Sequence, residues 1–133
     1  MNELPVAIGL SVCELVIQDA STGHPSLINR VTRLRVRSFP TPPQRLSVFA
    51  ALTNGFGDIP IRIEVEPPDG GMPIRERTVV VDFTDRLDEV WFVVELNDLV
   101  FPEPGAYQVS LFAETEPLAR SLLRVFPVTG DES

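Results

Sequence analysis

A chain of 133 residues with 44% apolar and 23% charged side chains is sized and composed for one globular domain, not for a disordered segment. A single cysteine excludes an internal disulfide and a cysteine-based metal cluster, and no apolar run reaches the roughly 18 residues of a membrane helix. Nineteen acids against eleven arginines, with no lysine, give a net charge of −8, which repels nucleic acid and anionic lipid.

Alternation with a period of two dominates the chain. Val12, Glu14, Val16 and Gln18 alternate with Cys13, Leu15 and Ile17, which predicts a strand over 6–18. Asp19 to Pro25 is a cluster of turn residues. Segment 27–37 reads as one strand, with Thr32, Leu34 and Val36 on one face and Val31, Arg33, Arg35 and Arg37 on the other. Phe39 to Pro43 (FPTPP) offers few N–H donors to a ladder and reads as a rigid crossover, although its spacing also fits proline motifs held in aromatic grooves.

Residues 46–53 are almost wholly apolar and predict a central strand covered on both faces. After a glycine turn, Ile59, Ile61, Ile63 and Val65 alternate with Pro60, Arg62, Glu64 and Glu66, the cleanest half-buried strand of the chain. Pro67 to Gly71 is a tight turn, and 74–83 is the return strand of a hairpin. Residues 84–88 are polar and sized for one helical turn. A strand over 90–96 follows, with Val90, Phe92, Val94 and Leu96 inward, and 107–113 and 118–125 form the last pair.

Eight evenly spaced strands with proline and glycine between them predict an all-β fold, an antiparallel β-sandwich, with a small closed barrel as the alternative. One domain is expected over 1–128, and 129–133 as a short free tail. The expected core is Leu15, Ile17, Leu34, Val36, Val48, Ile61, Ile63, Val81, Phe92, Val94, Tyr107, Val109, Leu111 and Leu122.

The stretch Phe101 to Val109 (FPEPGAYQV) resembles the strand entry of immunoglobulin-like sandwiches. That resemblance implies that Tyr107 bonds back to the backbone across a corner, two residues before the core position Val109. The paired cysteines of that family have no counterpart here. Cys13 to Asp19 (CELVIQD), Thr22 to Ile28 (TGHPSLI), Ser38 to Pro43 (SFPTPP) and Ser47 to Thr53 (SVFAALT) resemble an uncharacterised family of short bacterial single-domain proteins. The resemblance implies a bacterial, cytoplasmic β-sandwich and carries over no site residue.

Charge is unevenly distributed. Residues 20–57 hold five arginines and no acid, whereas 82–116 hold nine acids against Arg86. Two outcomes are open: the segments adjoin and neutralise one another, or they form faces that meet a partner or a second copy. Arg33, Arg35 and Arg37 repel one another unless answered, either by an ion ladder to acids such as Glu64 and Glu66 or by an acidic or phosphorylated partner. His24, with Asp19, Ser21 and Ser26 nearby, reads as a solvated turn rather than a nucleophilic site. Cys13 reads as a buried small hydrophobe. Asp82, Asp85, Asp88 and Glu89 form the best candidate cation loop.

The expected function is a non-enzymatic protein-interaction or scaffold module. It takes a protein partner, or a copy of itself, through a sheet edge or the face of Arg33, Arg35 and Arg37. A ligand-binding sandwich for calcium, a sugar or a lipid surface is the alternative. No enzyme chemistry, cofactor, bound metal, nucleic-acid partner or membrane insertion is expected, and the expected location is the cytoplasm.

Overall fold

The computed structural model describes residues 2–128. The expected free tail, 129–133, lies outside the described residues. Strands run in the order β1 (Val6–Gln18), β2 (Pro25–Arg30), β3 (Arg33–Val36), β4 (Gln44–Thr53), β5 (Gly57–Glu66), β6 (Arg75–Phe83), β7 (Val90–Leu99), β8 (Gly105–Ala113) and β9 (Glu116–Pro127). They form two sheets, ordered β2-β1-β4-β7 and β3-β9-β8-β5-β6. All pairings are antiparallel except β3 with β9, which is parallel. The architecture is an all-β sandwich, as expected.

Alternation decides what faces the core. Ile59, Ile61, Ile63 and Val65 on β5 are buried, as are Val48, Ala50 and Leu52 on β4 and Phe92, Val94 and Leu96 on β7. Register places Val48 between Val12 and Val94, so one row of apolar side chains crosses three strands of the four-stranded sheet. Tyr107 is buried against Phe101, ring centroids 4.9 Å apart and edge-on, and its hydroxyl donates to the Glu103 carbonyl at 2.5 Å. That is the corner bond implied by the immunoglobulin-like stretch. Gly105 opens β8 at φ 151°, where a Cβ would lie 2.5 Å from Pro68 Cγ.

Three expectations about the strands and the core need correction. First, there are nine strands among the described residues, because 27–37 is two strands in different sheets. Asn29 adopts φ 52°, Val31 donates its N–H to Val12 of β1, and Thr32 accepts one from Arg124 of β9. The dipeptide Val31-Thr32 is therefore clamped to both sheets as the chain crosses between them. Second, Leu15 and Ile17 are not core: they are 39% and 49% exposed. The hairpin of β1 and β2 runs past β4, which pairs with β1 only as far as Cys13. At its tip His24 meets Trp91 edge-on at 5.7 Å, and Trp91 stands opposite Ala51, itself opposite Gly9. The hairpin therefore bends back over the outer face of its own sheet. Cys13, Ser47 and Ala51 are buried although they lie outside the core cluster, in keeping with a flap on that face. Third, Leu122 is 49% exposed and its neighbour Leu123 takes the core position. Leu34 and Val81 are half-buried at the rim of the core.

The 84–88 segment is a turn and not a helical one. Asp88 donates its N–H to the Asp85 carbonyl at 3.2 Å, and Leu87 donates to Asp85 Oδ1 at 2.9 Å.

The flap makes one prediction about Cys13. Its side chain is fully inaccessible, and burial pushes the thiol above its ordinary range, with the Arg30 charge pulling the other way. A small thiol reagent should label the native protein at least about 100-fold more slowly than the denaturant-unfolded chain. Equal rates would mean that the flap does not cover the sheet.

Candidate functional site

Strand order decides how the charges meet. β2 and β3 occupy one flank of the sandwich, and β6 and β7 occupy the other. The arginine-rich 20–57 segment supplies β2 and β3, while the acidic 82–116 segment begins at the end of β6 and runs through β7. The arginines of β2 and β3 are thereby held apart from the β6–β7 flank, although β4, which also comes from 20–57, pairs directly with β7. Arg45 does cross this divide and pairs with Glu95 on the neighbouring strand. Arg62 pairs with Glu64 at 3.0 Å, and Arg86 forks onto Glu3 at 2.6 and 2.9 Å. Hydrogen bonds from Arg86 hold the Glu3 carboxyl below its ordinary range.

The expected ion ladder from Arg33 and Arg35 to Glu64 and Glu66 does not form. β3 is an edge strand, and three strand spacings separate it from β5, about 14 Å. Among the described residues its one ladder partner is β9, where Arg33 stands beside Arg124 and Arg35 beside Phe126. Both guanidiniums lie over the Phe126 ring, 5.4 and 5.7 Å from its centroid. Such stacking is worth about 0.5–1 kcal/mol at an exposed site.

Along this flank runs a groove of about 430 Å³ lined by Leu10, Arg30, Thr32, Arg33, Arg120, Ser121, Leu122 and Arg124. Two features of the chain place these arginines. Arg30 ends β2 and Arg33 begins β3, so the clamped crossover sets them on either side of Thr32. Arg120 and Arg124 lie four residues apart on β9, on the outward face with Leu122. Among the described residues, no carboxylate forms an ion pair with Arg30, Arg33, Arg120 or Arg124. A second hollow of about 310 Å³ shares Arg124 and is walled by Phe126 and Pro104.

Of the residues singled out in the sequence, Arg33 lies in the groove. Arg35 stacks beside it on Phe126, and Arg37 lies beyond the end of β3 and does not line it. Arg30, Arg120 and Arg124 complete the cluster. The signal for the last two was their shared parity on a strand. No net charge marks that stretch, because Asp131 and Glu132 cancel Arg120 and Arg124 in the formal charge of 117–133.

The other candidates are local. Asp19 accepts hydrogen bonds from the Ser21 hydroxyl at 2.7 Å and from the N–H groups of Ser21 and Thr22 at 2.8 and 3.0 Å. These are turn bonds and do not align a serine with His24. Among the described residues no group of three or more histidine, cysteine, aspartate or glutamate side chains is placed to hold a metal ion. Asp85 caps its own turn, and Glu89 accepts from Trp91 Nε1 at 2.6 Å.

The Asp19 bonds, the Ser21 hydroxyl first, hold its carboxyl down to about 2. A depressed carboxyl stabilises the turn above the unfolded value of about 4, and this contribution fades as pH falls through the folded value. An NMR titration of Asp19 should show a midpoint near 2, and Ser21→Ala should raise it. A wild-type midpoint near the unfolded value would mean that the turn bonds are absent.

The model of the family of unknown function DUF6941 matches residues 9–126. No curated protein matches the chain. An immunoglobulin-like protein from Pseudomonas aeruginosa is similar in structure at 15% identity, covering 92% of this chain and 97% of that one, with a TM-score of 0.44. A beta-glucosidase from Listeria innocua is similar at 11% identity over 89% of this chain, with a TM-score of 0.44, and the match spans only 16% of that enzyme.

Proposed function

The chain belongs to the DUF6941 family, and from that premise we propose that it is a non-enzymatic interaction module which engages an acidic protein partner through its arginine flank. One observation carries this reading: Arg30, Arg33, Arg120 and Arg124 line one groove without a carboxylate pairing with them among the described residues. Four guanidiniums left together repel one another, so a partner that supplies carboxylates gains both attraction and relief of that repulsion. Arginine suits the task because its planar fork meets a carboxylate through two parallel hydrogen bonds. The net charge of −8 acts against long nucleic acids, whose field extends far beyond the groove.

The test uses a fluorescently labelled peptide of alternating glutamate and leucine. Anisotropy should show binding that weakens as salt shortens the Debye length below about 8 Å. No binding at low salt, or equal binding of the lysine-leucine counterpart, would overturn the reading.

A second reading is self-association, favoured by the opposite charges of the two flanks. It requires the acidic flank of one copy to meet the arginine flank of the next, a head-to-tail contact that does not close as a twofold dimer. Light scattering at low and high salt separates the two: a species that grows with concentration and dissociates in salt supports self-association, and a monomer at both salts excludes it.

A further inference from the structure

The groove has a property that a cluster of surface arginines lacks: it lies against an unpaired strand edge. β3 pairs with β9 only over Arg124 to Pro127. Arg124 donates its N–H to the Thr32 carbonyl, toward this flank. Backbone groups two residues apart on a strand point the same way, so the N–H and C=O of Leu122 face the same flank. There, among the described residues, no strand pairs with them. Leu10 and the half-exposed Leu122 give the groove an apolar surface beside the four guanidiniums, and Thr32 and Ser121 add hydroxyls.

The number of donors points to the chemistry of the ligand. A carboxylate brings one charge and two oxygens, enough for one or two guanidinium forks. A phosphate monoester brings about two charges and three terminal oxygens, and arginine clusters meet it with charge-assisted, bidentate bonds. Four arginines and two hydroxyls exceed what one carboxylate uses and match a phosphoryl dianion. The edge at Leu122, unpaired among the described residues, offers a donor and an acceptor to an extended backbone, as in strand addition.

We infer that the groove takes an extended protein segment carrying a phosphorylated side chain, with its phosphoryl group among Arg30, Arg33, Arg120 and Arg124 and its backbone along the β9 edge at Leu122. This inference rests on the arginine-flank reading and narrows it to one ligand class.

The test compares nine-residue peptides of one leucine-flanked sequence whose central residue is phosphoserine, glutamate or serine. A fourth peptide is the phosphoserine form with alternate backbone nitrogens methylated, and inorganic phosphate and a short single-stranded oligonucleotide serve as competitors. The phosphoserine peptide should bind about tenfold or more tightly than the glutamate peptide, and the serine peptide should not bind measurably. Backbone methylation, which blocks strand addition without altering the protein, should weaken binding about fivefold or more. Phosphate should compete only at far higher concentration. Equal binding of the glutamate and phosphoserine peptides would overturn the phosphoryl assignment and leave the acidic-partner reading standing. Indifference to backbone methylation, or tighter binding of the oligonucleotide, would overturn the protein-segment assignment. Binding of none of these anions would overturn both.

Discussion

Replacing Phe101 with alanine should destabilise the fold by about 3–5 kcal/mol. Phe101 is fully buried and packs edge-on against Tyr107. Its backbone also exchanges two hydrogen bonds of 3.0 Å with Thr41: its N–H donates to Thr41 Oγ1, and its carbonyl accepts from the Thr41 N–H. Thr41 is itself buried, so this pair ties the proline-rich crossover between β3 and β4 to the connection between β7 and β8. Removing the ring leaves a cavity at a point fixed by those bonds, where the backbone cannot move in to fill it. At this chain length the loss corresponds to a fall in Tm of roughly 10–20 °C. Tyr107→Phe makes the informative contrast. It keeps the ring and deletes only the hydroxyl bond to Glu103, so it should cost about 1 kcal/mol. Denaturant titration of the three proteins checks both values, with the midpoint shifting at constant slope. A loss below about 1 kcal/mol for Phe101→Ala would contradict the packing described for this corner.

The second large effect concerns binding. Replacing Arg120 and Arg124 together with glutamate should weaken capture of an acidic or phosphorylated peptide by at least about 100-fold. Both side chains are exposed on β9 and line the groove. Neither forms an ion pair with a carboxylate among the described residues, so their reversal should leave the fold within about 1 kcal/mol of wild type. Arg75 and Arg77 on β6, at the opposite flank, provide a control with the same change in net charge. Their reversal should leave peptide binding within about twofold, since charges beyond a Debye length are screened. If both double variants lose binding equally, the cause is net charge and not the groove.

Much of the fold is legible in the sequence because burial on one face of a strand leaves a period of two. β5 is the clearest case, with every second residue from Ile59 to Val65 buried. The corner at Tyr107 is also legible, since a tyrosine two residues before a core position has a specific use in such sandwiches. What escapes the pattern is where a strand leaves one sheet for another. Through 27–37 the alternation looks continuous, yet Val31 is buried at an odd position while Val36 is buried at an even one. That slip of phase marks the crossover, and it appears in the sequence as the lone valine on the arginine face. Leu15 and Ile17 mislead for a different reason. They alternate correctly, but they belong to a flap that covers the outside of its own sheet, and period alone does not say which face is the core. At Leu122 and Leu123 two adjacent leucines leave the parity open, and Val125 settles it in favour of Leu123.

The candidate site was half legible. Arg33 was visible as part of a stripe, whereas Arg37 follows the end of β3 and falls outside the groove. Arg30 joins through the crossover, and Arg120 and Arg124 join through β9, which neighbours β3 only because the sheet order brings it there. A parallel pairing between the third strand and the last is a long-range event with no local signal. The separation of positive and negative flanks has the same origin.

The most direct measurement is a two-dimensional NMR titration of the labelled protein with the phosphoserine peptide, reading backbone amides and arginine Nε–H groups together. The expected result is a contiguous set of shifts at Arg30, Thr32, Arg33, Ser121, Leu122 and Arg124, with the acidic turn at Asp85 to Glu89 unmoved. Shifts scattered over the surface, or centred on the β6–β7 flank, would contradict the placement of the binding site in the arginine groove.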